Sequence, residues 1–188
     1  MTITQGRSQD TVASNDLTAT LRAWNVGLKV YNINLVNTRG SGRQALAVSA
    51  QATQQGYYGM KFIGYQDTIL ANKGNQIYAK CYIDGAVDFI FGQNARAWFY
   101  KADIRIKGSG AITANGRDGE SNPSYYLISE SDIRAADGVT LANGATYLGR
   151  PWRNYSRGGS TDAPSPPSVT DKSRSRLPEH RHEQRRQL

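Results

Sequence analysis

Apolar residues along this chain come in short runs separated by polar, glycine-containing turns. The run 29–37 alternates apolar and polar positions and is rich in β-branched residues, the period-two pattern of a half-buried strand. Comparable short segments at 17–24, 44–49, 57–64, 76–83, 87–91, 95–106, 125–128 and 147–148 are read as strands. Gly40-Ser41-Gly42-Arg43 and Asn72-Lys73-Gly74-Asn75 are read as turns. No stretch of eleven or more residues keeps a 3.6-residue period, so no long helix is predicted. Similar contexts recur around Leu35, Phe62, Tyr82 and Asp103, at intervals of 27, 20 and 21 residues. A repeat near twenty residues, built of short strands and polar turns, predicts a solenoid in which each coil buries its inner face against the next. Without crossover helices, the fold class expected is all-β, a parallel β-helix. A β-sandwich is the competing architecture, but the hairpin signals it needs every ~8–12 residues are less evident.

Composition sharpens this in three places. The 188 residues include 19 glycines and 11 tyrosines, which favours strands and turns and is long enough for one domain with a core. The net charge is +8, of which +2 falls from Gly158 onward and +6 before it. A basic body is compatible with a polyanionic partner, either nucleic acid or acidic polysaccharide, and equally with ordinary surface charge. After Arg157 the text turns to Pro, Ser, Arg, Glu and Gln with almost no apolar residue. Residues 1–157 are therefore read as the folded body and 158–188 as a disordered tail. No apolar run is long enough to span a membrane, and the residues after Met1 have no signal-peptide hydrophobic core.

The chemistry is narrowed by what the body lacks. Both histidines, His180 and His182, lie in the tail, so a Ser-His-Asp triad, a Cys-His pair and a histidine-built zinc site are excluded from residues 1–157. The single cysteine, Cys81, sits in an alternating run and reads as a small buried hydrophobe. Neither a Gly-x-Ser-x-Gly elbow nor a phosphate-binding glycine loop is present. Any proton transfer in the body falls to carboxylates. Two of these are placed unusually: Asp67 follows Tyr65 and Gln66, and Asp88 lies among Val87, Phe89 and Phe91. Burial there would raise a carboxyl pKa unless donors or a cation hold the charged form. The two aspartates stand 21 residues apart, about one coil, so they could stack on one face and act as a pair, one proton donor and one anion.

These residues carry a resemblance. Gly64-Tyr65-Gln66-Asp67-Thr68, Gly85-Ala86-Val87-Asp88-Phe89-Ile90-Phe91-Gly92 and Leu148-Gly149-Arg150-Pro151-Trp152 resemble, in order, three signature blocks of the pectin methylesterases, and Gln44-Ala45-Leu46-Ala47 resembles a fourth. The resemblance runs from about Thr2 to Arg157 and is closest to fungal and bacterial members. It implies a right-handed parallel β-helix and hydrolysis of galacturonate methyl esters in pectin, without metal or cofactor. It implies Asp88 as nucleophile, Asp67 as general acid and then base, and Gln66 and Gln44 as oxyanion donors. It further implies Arg150 as the partner that keeps Asp88 ionised, Trp152 as a sugar platform, and Val87 and Phe91 as apolar cleft walls. Pectin is the partner implied, with no nucleic acid or membrane involved; the protein would be a secreted monomer. Family catalytic domains are nearly twice as long, so coils before Thr2 and after Trp152 are expected to be missing. A pectin-binding remnant without turnover is the alternative from another class. A lyase or polygalacturonase on the same fold is disfavoured by the lack of body histidines and of clustered carboxylates suited to calcium.

Overall fold

In a computed structural model, residues 1–161 and 166–170 are described. The chain winds through six coils, each contributing one strand to each of three parallel sheets, A, B and C. The first coil holds β1 (Thr2–Gln5), a four-residue helix α1 (Asn15–Thr18), β2 (Leu21–Ala23) and β3 (Lys29–Tyr31). The second holds β4 (Asn34–Asn37), β5 (Val48–Ala50) and β6 (Gln55–Tyr58), and the third β7 (Lys61–Ile63), β8 (Ile69–Ala71) and β9 (Lys73–Ala79). The fourth holds β10 (Tyr82–Gly85), β11 (Ile90–Gly92) and β12 (Asn94–Tyr100), and the fifth β13 (Asp103–Ile106), β14 (Gly110–Asn115) and β15 (Tyr125–Ser129). The sixth holds β16 (Asp132–Ala135), β17 (Thr146–Pro151) and β18 (Gly158–Thr161), and β19 (Val169–Thr170) adds a seventh strand to sheet B. All strand pairings among the described residues are parallel, which makes this a parallel β-helix as the repeat predicts.

The interior is a stack of like side chains. Leu35, Phe62, Ile83 and Ile104 occupy one row of sheet A. On sheet C, Tyr57 stacks on Tyr78 with ring centroids 4.9 Å apart, and Tyr78 on Phe99 at 4.7 Å. The hydroxyls of Tyr57 and Tyr78 each donate to the glutamine two residues before, Gln55 and Gln76, and that of Tyr126 to the Ala71 carbonyl. The glutamine amides in turn donate to buried carbonyls, so no donor is stranded in the core. Cys81 is buried and donates to the Tyr57 carbonyl; burial pushes its thiol up to about 11, so it is a core group rather than a nucleophile.

Four expectations are corrected. The repeat aligned Tyr82 with Phe62, but the partner of Phe62 is Ile83, and Tyr82 pairs with Lys61. Because strand faces alternate, a one-residue slip exchanges core and surface; Tyr82 and Ile83 are both apolar enough to hide the difference. The segments 76–83 and 95–106 each break into two strands at Lys80 and Lys101, whose φ values of 54° and 51° turn the chain from sheet C to sheet A. Residues 72–75, read as a turn, begin the long strand β9 instead. Finally, Gly158–Thr161 was assigned to the tail, yet it forms β18 and pairs with β15. Its side chains are too small to announce a strand, and its place is set by the β15 edge already there. The rest of the expected tail, apart from residues 166–170, lies outside the described residues.

Candidate active site

The turns from sheet A to sheet B carry the site. Gln66 and Val87 form a parallel bridge, and the Asp67 N–H donates to the Val87 carbonyl at 3.0 Å. Asp67 and Asp88 therefore occupy equivalent positions one coil apart. Both adopt left-handed backbone, φ 64° and 48°, a region aspartate tolerates better than most residues but at a cost of roughly 1–3 kcal/mol each. The coil ladders on either side hold them there. Gly85 and Gly92 bracket the second turn for different reasons. A Cβ at Gly92 would sit 2.0 Å from the Ala71 carbonyl oxygen, with φ at +147°, whereas one at Gly85 would sit 2.3 Å from the Phe89 Cβ.

Behind the first turn lies a buried ion pair. Lys107 Nζ meets Asp84 Oδ1 at 2.8 Å and donates to the Gly64 carbonyl at 3.0 Å. The same Asp84 oxygen accepts the Gly64 N–H at 2.9 Å, and the Thr68 hydroxyl donates to the Asp84 carbonyl at 2.9 Å. Both ends of the 64–68 turn are thus tied to β10 and to the residue that follows β13.

Arg150 comes from two strands away. Phe91, Ala114 and Arg150 share one row across β11, β14 and β17. The small Ala114 leaves space for the Arg150 side chain to cross β14 and reach the fourth coil, two coils back. There its Nε donates to Asp88 Oδ1 at 2.7 Å and its Nη2 donates to Oδ2, a two-pronged grip that a lysine could not reproduce.

Asp67 is 6% exposed and sits beside that anion. Burial, and secondarily the Asp88 charge, push its carboxyl up to about 7, against the opposing pull of the Asn15 amide and the Arg150 charge. Linkage follows from this. The folded state keeps the proton that the unfolded chain releases near 3.8, so the stabilising contribution is complete below that pH and is lost as pH rises through about 7. Asp67→Asn is therefore expected to stabilise the protein more at pH 8 than at pH 5, by a few kcal/mol at most. Thermal unfolding at the two pH values tests this; an equal shift at both would remove the proposed titration.

Asp67 and Asp88 open into a cleft of about 220 Å³, lined by Gln44, Gln66, Phe91, Arg150, Trp152, Asn15 and Ala114. The side-chain amides of Gln44 and Gln66 have no hydrogen-bond partner among the described residues, which leaves their donors available. Trp152 leans on Phe91 with centroids 6.3 Å apart and lies over Gly116, where a Cβ would fall 2.7 Å from the indole. Val87, expected in the cleft wall, is not among its lining residues; its contribution is the backbone bridge that aligns the two turns. Asn15 was missed by sequence reasoning. Its Nδ2 donates to Asp67 Oδ2 at 3.3 Å, from the short helix α1 in a stretch read partly as strand. Ser14, whose hydroxyl accepts the Leu17 N–H as an N-cap, was the available signal for that helix. A larger groove of about 400 Å³ on sheet C contains no carboxylate and is separate from this chemistry.

A fixed anion, a carboxyl that keeps its proton near neutrality and free amide donors suit nucleophilic and acid–base work by carboxylates, the chemistry of a β-helix hydrolase. The sequence model of the family Pectinesterase matches residues 1–161. A pectinesterase of Aspergillus aculeatus is 56% identical over 162 residues, covering 84% of this chain and 49% of that protein. The crystal structure of the pectin methylesterase from Aspergillus niger superposes with a TM-score of 0.87 at 42% identity, covering 90% of this chain and 56% of that one. Pectin methylesterase from carrot gives 0.82 at 29% identity, covering 92% and 58%. The chain belongs to the pectinesterase family, and it spans about half the length of the curated relatives it matches.

Proposed function

We propose that this chain carries the catalytic centre of a pectin methylesterase, hydrolysing the methyl esters of galacturonate units. The observation that supports this most is the Asp88–Arg150 grip one coil from a protonated Asp67, in a cleft with unengaged amides. In this reading an Asp88 oxygen attacks the ester carbonyl carbon. Gln44 and Gln66 donate to the oxyanion that develops. As the carbon–methoxy bond breaks, the Asp67 proton passes to the departing oxygen and methanol leaves, with an acyl anhydride on Asp88. The Asp67 carboxylate then takes a proton from water, the hydroxide adds to the substrate carbonyl, and Asp88 is released as a carboxylate beside the free uronate. Trp152, 39% exposed at the cleft rim, offers a face for a sugar ring, and Phe91 forms the apolar floor. Arg150 holds Asp88 by both oxygens, so that attack comes from one fixed orientation.

Pectin is a cell-wall polymer, so this activity belongs outside the cell, and the chain acts as a monomer in this reading. The test is methanol release from highly methylated pectin. Gln66→Ala is expected to lower the rate ~10²–10³-fold, the usual cost of one oxyanion donor, while leaving thermal unfolding unchanged. An unaltered rate would remove Gln66 from the mechanism. Absence of methanol with the parent chain, in a folded sample, would overturn the activity itself.

A further inference from the structure

The outward faces of sheets A and C differ in how they manage charge. On sheet A both arginines are matched, Arg105 between Asp103 and Asp132 and Arg134 with Asp132 at 3.3 Å, and only Lys61, over the Tyr82 ring, has no acidic partner among the described residues. The six strands of sheet C contain no aspartate or glutamate. Lys29, Lys73 and Arg96 stand at exposed positions of β3, β9 and β12, and none is paired with an acid among the described residues. Lys80 and Lys101 extend this basic margin at the corner, where only Lys101 has an acidic partner, Glu130 at 3.4 Å.

Aromatic rings lie between these cations. Tyr58 covers Gly56, where a Cβ would fall 2.6 Å from the ring, so glycine is what allows the ring onto the strand. Tyr31 stacks on Tyr58 at 4.8 Å and 15°. Trp98 shares its row with Gly56 and Ile77; its indole N–H donates to the Ser129 hydroxyl at 2.7 Å, and its ring leans on Tyr100 at 5.0 Å. Tyr31 and Trp98 remain 54% and 42% exposed, large apolar surfaces with no element over them among the described residues. Tyr58 and Trp98 line the groove of about 400 Å³ together with Lys29, Arg96, Gln54 and Asn75.

We propose that this groove binds an acidic polysaccharide, a polyuronate chain, at a site separate from the Asp88 cleft. Three strand spacings separate β3 from β12, about 14 Å, room for a short run of sugar rings. The exposed surfaces of Tyr31 and Trp98 present a platform to the C–H face of a pyranose. Lys29 and Arg96 meet carboxylates along the chain, and the Gln54 and Asn75 amides suit hydroxyls. Single-stranded nucleic acid also uses cations and rings. A single-stranded polynucleotide is therefore the competing ligand in the test below. The choice of a uronate over other polyanions rests on the function proposed above; the existence of a binding groove does not.

Affinity electrophoresis through gels containing de-esterified polygalacturonate tests this, using the Asp88→Asn chain so that no turnover intervenes. That chain is expected to be retarded, and the double change Lys29→Glu/Arg96→Glu to weaken retention roughly tenfold at low salt. Lys29 is exposed and has no acidic partner among the described residues, so Lys29→Glu alone, expected to weaken retention in the same direction, keeps the test sound if a second change disturbs the sheet. Adding Trp152→Ala at the catalytic cleft is expected to leave most of the retention. Retention untouched by the charge reversals, or lost on Trp152→Ala instead, would overturn the groove. Stronger competition from a single-stranded polynucleotide than from polygalacturonate would overturn the ligand. Methanol release that fails while charge-sensitive retention persists would sink the proposed activity and leave the groove standing.

Discussion

Asp88→Asn is expected to lower methanol release from methylated pectin on the order of 10⁴-fold or more, the largest functional effect of any single change in this chain. The amide keeps the volume and most of the shape of the carboxylate. It cannot supply an anionic nucleophile, and it offers Arg150 a neutral acceptor where two charge-assisted bonds stood, at 2.7 Å from Nε and from Nη2 to the second oxygen. Asp88 is only 8% exposed, so water cannot readily replace Arg150 as its partner. Arg150→Lys separates the two contributions. It keeps a positive charge but loses the fork, so the rate should fall between the parent and Asp88→Asn, with the loss in kcat rather than KM. Equal rates for Asp88→Asn and the parent, measured as methanol released per folded molecule, would remove the acyl-enzyme route.

The largest effect on stability is expected at Phe99. Phe99→Ala should destabilise the chain by about 3–5 kcal/mol, the range for removing a buried aromatic side chain. Phe99 is fully buried; it stacks on Tyr78 at 4.7 Å and meets Tyr126 edge-on at 6.3 Å, so it closes a column that starts at Tyr57. In a solenoid each coil rests only on its neighbours, and a gap in the fourth coil weakens the seating of the third and fifth together. Chemical denaturation followed by circular dichroism measures the loss. Arg96→Ala, three residues away on the outward side of the same strand, is the control and should change stability by no more than about 0.5 kcal/mol. A similar loss at both positions would contradict the division of β12 into an inner and an outer face.

The alternation in 29–37 and the twenty-residue recurrence of short strands were enough to expect a parallel β-helix, because strand period and coil length are local properties of the text. The spacing of Asp67 and Asp88 by one coil was readable for the same reason, and so was the exclusion of histidine chemistry. Blocks of neighbouring residues around Gln44, Asp67, Asp88 and Arg150 named the family and the chemical groups. Other features had no local signature. The one-residue offset at Ile83 is fixed by which side chain fits beneath Phe62, a contact between coils. Arg150 reaches Asp88 across 62 residues only because Ala114 leaves the row between them open. The Asn15 amide reaches Asp67 across 52 residues, and Lys107 grips Gly64 across 43, through stacking that no short window contains. The strand at Gly158–Thr161 exists because β15 offers it an edge. Sequence by itself therefore determined the coil, the candidate reactive groups and their order along the chain. Tertiary structure decided which of those groups touch, how strongly Asp67 keeps its proton, and which outer face of the helix is left charged and aromatic, since each depends on neighbours one or more coils away.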